Sequence, residues 1–541
     1  MHDTRQRRYA PPPLTRGIPL VVLLALFLAS GILGHDPWKS EDAIHFGTIW
    51  RAALDSEWLL FSAAEATGPA PPLYFWVARV CGVLFGSSLG LPDAFRIASL
   101  LFAGAACALI YLAATELFGK EAAPAAPLAL AGCLGFLVQS HETQPLLAVV
   151  AAICALLAGV AALHNRQRYA TPMLAAGLAG LVLADGLTLL PAGLLILASP
   201  LVAAERSQRL ATGVRILIAL LCAAVVALPW YLALARAGST QLAVFLGAEL
   251  AQLAGVSDFP RNAFRYLNQL GWFAWPAWPL AVWGLWSRRH AWRTSAIWLG
   301  AISFFVLWIA IAWIESARAA PALLLLPPLA LLAAQGVPQL RRGAAHAFDW
   351  FGRLTFGLLA FLLWFGWFAM QFQLPPKVSH NILRLTPGFE PQTGWLAAGF
   401  ALTITGLWLW FVVRERRSPL RSIGHWTAGI TLVWCLAMSL WLPWIEHLKS
   451  YRPVGTELLA ALGPAHSGKS CIEPRAVAPA QLSSIEFAMN RRLNPEARPD
   501  CRYLLIQGSL DEFPPEPEWR KVWEGNRPGD RHERLRLYHR G

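Results

Sequence analysis

The sequence predicts an all-α polytopic membrane protein, with about thirteen transmembrane helices and a small C-terminal α/β domain. Of its 541 residues, 56% are hydrophobic and only 14% are charged, and the mean hydropathy is +0.45. Soluble globular proteins are nearer one quarter charged. Aromatic residues are abundant, with 26 Trp and 27 Phe. This composition excludes an ordinary soluble enzyme and a disordered protein.

Apolar stretches that could cross a bilayer, each about 20 residues long, recur almost to the end of the chain. They divide it into a cytoplasmic N-terminus (1–16), a membrane module (17–445) and a soluble tail (446–541). The predicted spans are 17–34, 94–117, 122–139, 144–163, 170–184, 187–204, 212–236, 270–286, 294–314, 319–337, 350–372, 394–413 and 424–444.

The basic residues predict the orientation of these spans. With the N-terminus inside, the cytoplasmic segments carry 20 of the 45 Lys and Arg residues, whereas the longer outer loops carry 10. Cytoplasmic loops of membrane proteins are enriched in Lys and Arg in this way. We therefore expect a multi-pass protein of a bacterial inner membrane with a periplasmic C-terminus. The same distribution accounts for the net charge of +13 without a nucleic-acid partner.

The first outer loop, 35–93, is long enough to have a function of its own. Residues 41–54 and 72–86 are apolar but interrupted by polar residues, which is typical of amphipathic helices lying at the membrane surface.

The sequence of the tail predicts a small α/β layer. Residues 468–477 and 500–510 have the pattern of strands, 478–493 that of a helix, and 519–540 that of a β-hairpin. Cys471 and Cys501 both fall in this tail and could form a disulfide in an oxidising compartment. No ligand spacing in the chain identifies a metal site, although the many carboxylates leave a divalent cation open.

Three carboxylates follow the first span: Asp36, Glu41 and Asp42. A carboxylate fixed at the membrane surface can act as a general base toward a hydroxyl or an amine. Ser40, Glu41 and Asp42 would equally well cap the following helix, and the residues alone leave both interpretations open.

Further polar residues lie at the predicted outer mouths of helices, where charge next to lipid is costly. His141 and Glu142 occupy the very short second outer loop, as an interfacial turn or as a second polar wall of the same site. Asp185 separates two short spans, and Glu249 lies in the fourth outer loop, 237–269. We regard both acids as cavity candidates.

Arg261 and Arg265 precede an aromatic run, WFAWPAWP, in that fourth outer loop. Guanidinium groups at this depth suit a phosphate, which they bind with two hydrogen bonds. Contact with bulk anionic lipid is the alternative.

In its order of motifs the chain resembles the GT-C membrane glycosyltransferases, of the aminoarabinose-transferase and protein-mannosyltransferase type. A first span is followed by SEDAIHFGTIW, then PPLYFW, FGSSLGLPDAFRIAS, a His-Glu at a helix mouth, a Gly-containing broken span pair and an α/β tail. The resemblance extends over essentially the whole chain. Glu41-Asp42 matches the first-loop acidic pair of the family, in swapped order.

This resemblance implies transfer of a sugar from a polyprenyl-phosphate donor to a lipid, glycan or protein acceptor, with Glu41 or Asp42 as the base. The family's Glu-Lys before PPLYxW is replaced here by Gly68-Pro69-Ala70, and its Thr-Lys-Gly by Ala184-Asp185-Gly186. Arg261 and Arg265 are then the remaining cations for the donor phosphate. A degenerate scaffold of the same fold, or a transporter, is the alternative.

Overall fold

The computed structural model describes residues 17–38, 40–62, 68–203, 206–254, 258–291, 295–314, 320–392, 394–414, 418–463, 471–494, 501–508, 518–530 and 533–540. The predicted cytoplasmic N-terminus, 1–16, lies outside these residues. Helices dominate the first 462 positions, and all the strands lie after them.

The helices of the membrane module pack side by side around one large apolar core. They are α1 (Gly17–Ala29), α2 (Ser40–Leu54), α3 (Leu73–Leu89), α4 (Leu91–Phe118), α5 (Ala125–Ala131), α6 (Leu134–Gln139), α7 (Leu146–His164), α8 (Ala170–Asp185), α9 (Leu190–Ala203), α10 (Arg206–Ala237), α11 (Ser239–Ala254), α12 (Phe259–Phe273), α13 (Ala277–Ser287), α14 (Ser295–Trp313), α15 (Leu326–Gly336), α16 (Arg342–Phe372), α17 (Pro376–Arg384), α18 (Trp395–Arg414), α19 (Arg421–Leu440) and α20 (Leu442–Lys449).

Among the described residues, each predicted span overlaps at least one helix, but the count of thirteen crossings is not confirmed. Within the described residues, seven helices are long and apolar enough to cross a membrane. An eighth is added if α11 and α12, bent by 86° between Thr240–Ala254 and Phe259–Phe273, form one broken span. Five shorter apolar helices, α8 and α9 among them, have 10–17 residues. A straight helix of that length is shorter than a typical bilayer core, and the count of thirteen crossings therefore stays a prediction.

Both amphipathic segments of the first outer loop are helical, as predicted. They form α2 and α3, and Arg79 of α3 joins them by donating to the carbonyl oxygens of Ala52 and Glu57. The Arg79 guanidinium also lies 4.3 Å from the ring centroid of Trp58. The charge that interrupts this apolar segment is therefore satisfied by the loop itself.

The tail has the predicted order of strand, helix, strand and hairpin. It comprises α21 (Arg452–Leu462), β1 (Ile472–Arg475), α22 (Pro479–Ala488), β2 (Tyr503–Gly508), β3 (Trp519–Gly525) and β4 (Arg534–Arg540). The sheet order is β1-β2-β4-β3, with β1 parallel to β2 and the other two pairs antiparallel. Cys471 and Cys501 form a disulfide beside the parallel pair, with their Cα atoms 4.9 Å apart.

Helix α22 of the tail lies directly against α2 of the first loop. Phe487 packs against Phe46 and Trp50, with ring centroids 4.7 and 6.1 Å away. A Cβ atom on Gly47 would lie 2.3 Å from Ser483 Oγ, so only a glycine permits this approach. Helix α2 is thus packed between the tail and the membrane helices.

The predicted orientation is testable with reporter fusions. A reporter enzyme active only in the periplasm should be active when fused after Gly541 and silent when fused at Arg288, because of the bias of basic residues toward the cytoplasm. Immunoblots of both fusions control for expression. Activity at Arg288 with silence after Gly541 would invert the topology.

Candidate active site

A cavity of about 230 Å³ opens between the first loop and the bundle. It is bordered by α2, by the turn before α7, by the turn between α8 and α9, and by α11, α12, α14 and the turn before α15. Its polar lining comes from Glu41, His45, Gln144, Asp185, Thr188, Gln252 and Tyr266. A larger groove of about 440 Å³, between α1, α4 and 124–127, is lined by apolar side chains together with Tyr111 and Cys107, and offers no acid–base pair.

The two acids of the first loop, Glu41 and Asp42, have different surroundings in the structure. Glu41 lines the cavity, and its Oε2 lies 3.4 Å from His45 Nε2 one helical turn later. Asp42, the next residue, points into the protein and is 1% exposed. Consecutive residues of an α-helix project about 100° apart, so two neighbouring carboxylates at the start of α2 take different surroundings.

Asp42 binds groups from three segments. Its Oδ1 accepts the Thr143 amide at 2.7 Å, and its Oδ2 accepts the Trp38 amide at 3.3 Å and lies 3.4 Å from Arg96 Nη2. Burial alone would raise the pKa of Asp42, but the Arg96 charge and the Thr143 hydrogen bond hold it below its ordinary value. Asp42 is therefore ionised and fixes α2 to α4 and to the 140–145 turn.

His141 and Glu142 lie beside the cavity without lining it. His141 is buried between α1 and α6, and its Nε2 and Nδ1 lie 2.7 and 2.6 Å from the carbonyl oxygens of Phe27 and Leu137. Glu142 is 8% exposed, and its backbone oxygen accepts a hydrogen bond from Ser99 Oγ at 2.5 Å. The residue of this turn that does reach the cavity is Gln144.

Asp185 and Glu249 meet at the turn between α8 and α9. Asp185 lines the cavity, and its Oδ2 accepts the Leu189 amide at 3.1 Å. Glu249 is buried behind it and accepts the amides of Leu187 and Thr188 at 2.7 and 3.0 Å. Gly186 has φ +80°, and a Cβ atom there would lie 2.6 Å from Glu249. Glu249 thus fixes the turn that presents Asp185.

Asp36 joins the first loop to the tail. The guanidinium of Arg452 contacts both Asp36 oxygens at 2.7–3.0 Å, and Ser450 Oγ donates to Oδ2 at 2.6 Å. The Asp36 amide donates to the carboxyl group of Glu446 at 3.2 Å. Burial and the neighbouring Asp36 charge raise the pKa of Glu446 to about 7. Asp36 therefore belongs to this junction and does not line the cavity.

Arg261 and Arg265 lie one turn apart on the exposed side of α12. The opposite side of α12 buries Asn262 and Tyr266, of which Tyr266 lines the cavity. Neither arginine lines the cavity, but both belong to the helix that forms one of its walls. Across the described residues, no group of three or more His, Cys, Asp and Glu side chains is arranged to hold a metal ion.

His45, Gln144, Tyr266 and Arg96 are site residues that the sequence alone did not single out. The spacing between Glu41 and His45 was the available signal, since residues four apart share a helix face. The roles of Arg96 and Tyr266 depend on long-range packing, which a linear sequence does not display.

The chain resembles several solved structures and matches one family model. The model for dolichyl-phosphate-mannose-protein mannosyltransferases matches residues 69–232. ArnT from Cupriavidus metallidurans bound to undecaprenyl phosphate has a TM-score of 0.68 at 16% identity, covering 96% of this chain and 97% of that one. Its apo form gives 0.65 at 15% identity with the same coverage. The oligosaccharyltransferase AglB from Archaeoglobus fulgidus, in complex with an inhibitory peptide and a dolichol-phosphate, gives 0.47 at 13% identity over 90% of this chain and 69% of its own. No curated protein sequence matches.

The predicted resemblance to the GT-C membrane glycosyltransferases is confirmed. The likeness to ArnT extends over nearly the full length of both chains, including the C-terminal sheet. The chain is a multi-pass membrane protein with this fold.

The two first-loop acids should respond differently to amide substitution. Asp42→Asn should lower the free energy of unfolding by about 3 kcal/mol, because it removes one of the two carboxylates that neutralise the buried Arg96 charge. Glu41→Gln, the matched control, should change it by less than about 0.5 kcal/mol, since Glu41 lies at a cavity surface. Denaturant unfolding in detergent measures both. Equal stabilities of the two variants would contradict the structural role of Asp42.

Proposed function

We propose that this protein transfers a sugar from a polyprenyl-phosphate donor to a lipid, glycan or protein acceptor at the periplasmic face of a bacterial inner membrane. The observation that carries the proposal is a cavity lined by Glu41, His45 and Asp185, in a fold that matches ArnT along its length. The ArnT structure was solved with undecaprenyl phosphate bound, which supports a lipid phosphate as the leaving group.

Glu41 is the carboxylate on which acceptor activation depends. Displacement at the anomeric carbon builds positive charge on the sugar and releases the lipid phosphate, while the acceptor loses a proton. A carboxylate in the cavity stabilises the first charge and promotes the loss of that proton. The Asp42 carboxylate already contacts Arg96, Thr143 and Trp38. Of the two first-loop acids, Glu41 is therefore the one that faces the cavity in which the substrate would bind.

The leaving phosphate needs positive charge from outside the cavity. Among the described residues that line it there is no Lys or Arg. Arg261 and Arg265 lie on the exposed side of α12, the helix whose other side contributes Tyr266. In the proposed arrangement the sugar enters the cavity and its lipid phosphate stays at α12, where a guanidinium binds it.

A catalytically inactive scaffold of the same fold is the second candidate, since both basic motifs of the family are absent from the sequence. The clustering of Glu41, His45 and Asp185 in one cavity favours an enzyme, because burying acidic groups there is costly and a scaffold would not need them.

The function is tested by incubating membranes that contain the protein with radiolabelled polyprenyl-phosphate sugars. Label should pass to a lipid, glycan or protein in the presence of wild-type protein, and Glu41→Gln should reduce kcat by about 10²–10⁴-fold. Glu390→Gln, at an exposed acid that does not line the cavity, is the matched control and should transfer normally. Failure of the wild type with every donor would favour the scaffold.

The phosphate contact is tested by replacing Arg261 and Arg265 together with alanine. The apparent KM for the donor should rise by at least about tenfold, the equivalent of about 1.4 kcal/mol, while the acceptor KM stays unchanged. Lysine at both positions should restore only part of the affinity, since an ammonium cannot make the two-pronged contact. Arg384→Ala, at an exposed arginine of α17, is the control. Unchanged donor kinetics in the double variant would assign these arginines to bulk lipid.

A further inference from the structure

His45 is an ionisable residue that lines the cavity and has no role in the reaction as proposed so far. It lies on α2 one turn after Glu41, and its side chain is 24% exposed to the cavity. Its Nε2 lies 3.4 Å from Glu41 Oε2, and its ring centroid is 6.4 Å from that of Phe75. Among the described residues its Nδ1 has no hydrogen-bond partner. The imidazole thus has one nitrogen toward a carboxylate, and no residue that the structure describes engages the other.

We propose that His45 is the general base of the transfer reaction and that Glu41 positions it. This inference rests on the proposed function and specifies which atom receives the acceptor proton. In the reacting complex Glu41 accepts a hydrogen bond from Nε2–H, which selects the neutral tautomer with its lone pair on Nδ1. The 3.4 Å separation is long for a hydrogen bond, as is common in sites without substrate.

The step is balanced as follows. The acceptor hydroxyl or amine gives its proton to His45 Nδ1, and its oxygen or nitrogen forms a bond to the anomeric carbon. The bond between that carbon and the phosphate oxygen breaks, and its electron pair leaves with the lipid phosphate. The imidazolium then carries the proton beside the Glu41 carboxylate, which stabilises it without itself becoming protonated. Release of the proton to water regenerates the base.

The charged groups around the His45 ring suit its proposed role as general base. Glu41 contacts it from α2, Asp185 lines the same cavity from the end of α8 with Glu249 behind it, and Tyr266 lines it from α12. No Lys or Arg occurs among the described lining residues. Because the neighbouring groups are neutral or acidic, an imidazolium formed during reaction meets no repulsion. Imidazole also titrates nearer neutral pH than a carboxyl group does, which suits a general base.

The test compares variants of the purified full-length protein in lipid nanodiscs. His45→Gln keeps the size and polarity of the side chain but cannot take up a proton, and should lower kcat by about 10²–10⁴-fold with an unchanged donor KM. His45→Ala should be equally inactive and partly rescued by added imidazole, for which the vacated ring leaves space. Imidazole should not rescue Glu41→Ala. His380→Ala, at an exposed histidine of α17, is the matched control and should transfer sugar as the wild type does.

Wild-type rates in His45→Gln, or loss in His45→Ala without any rescue by imidazole, would overturn the assignment while leaving sugar transfer standing. Absence of transfer by the wild type itself would overturn the proposed function and this inference together.

Discussion

The ion pair between Arg96 and Asp42 fixes the geometry on which the rest of the site depends. Arg96 has no exposed side-chain surface, and it also donates to the carbonyl of His35 and to Asp93, at 2.8 and 3.2 Å. Removing the Asp42 charge would leave the buried Arg96 with Asp93 as its remaining carboxylate partner, and removing the Arg96 charge would leave the buried Asp42 with backbone amides alone. The pair therefore sets both the position and the rotation of α2. Once that rotation is set, helical periodicity directs Glu41 and His45 to the cavity.

The tail holds α2 from the other side. Arg51, at the end of α2, forms a buried ion pair with Glu486 of α22 at 2.8 Å, and Arg492 pairs with Asp55 at 2.6 Å. These contacts surround the close approach of Gly47 and α22. A soluble domain far from the cavity in sequence thus restrains the helix that carries its acid and its histidine. The junction of Asp36 with Arg452 restrains the segment just before that helix.

The sequence predicted the fold more completely than the site. Apolar stretches and alternating strands located nearly every helix and the tail sheet, because these patterns follow from burial along a single element. The sequence could not distinguish the roles of Glu41 and Asp42. Adjacent carboxylates look equivalent until the fold brings Arg96, 54 residues after Asp42, to one of them.

His141 was predicted as a site residue because it lies at the mouth of a helix. The sequence gives no sign that its ring nitrogens face two backbone carbonyls, those of Phe27 and Leu137. The count of thirteen crossings stays a prediction, because hydropathy does not reveal where a span breaks, as the helix does between α5 and α6.

Two glycines close in sequence to the positions at which the chain departs from the basic motifs of the family it resembles lie against α11. A Cβ atom on Gly68 would lie 2.9 Å from Val244, and one on Gly186 would lie 2.6 Å from Glu249. At these two points the backbone approaches side chains of α11 more closely than a Cβ atom allows. The acid that stands between Ala184 and Gly186 then faces the cavity as Asp185. In the proposed reaction, a lining that has acids and, among the described residues, no Lys or Arg suits the sugar as it becomes cationic and does not suit the departing phosphate. Under that proposal, charge stabilisation of the two halves of the donor is divided between the inner and the outer sides of α12.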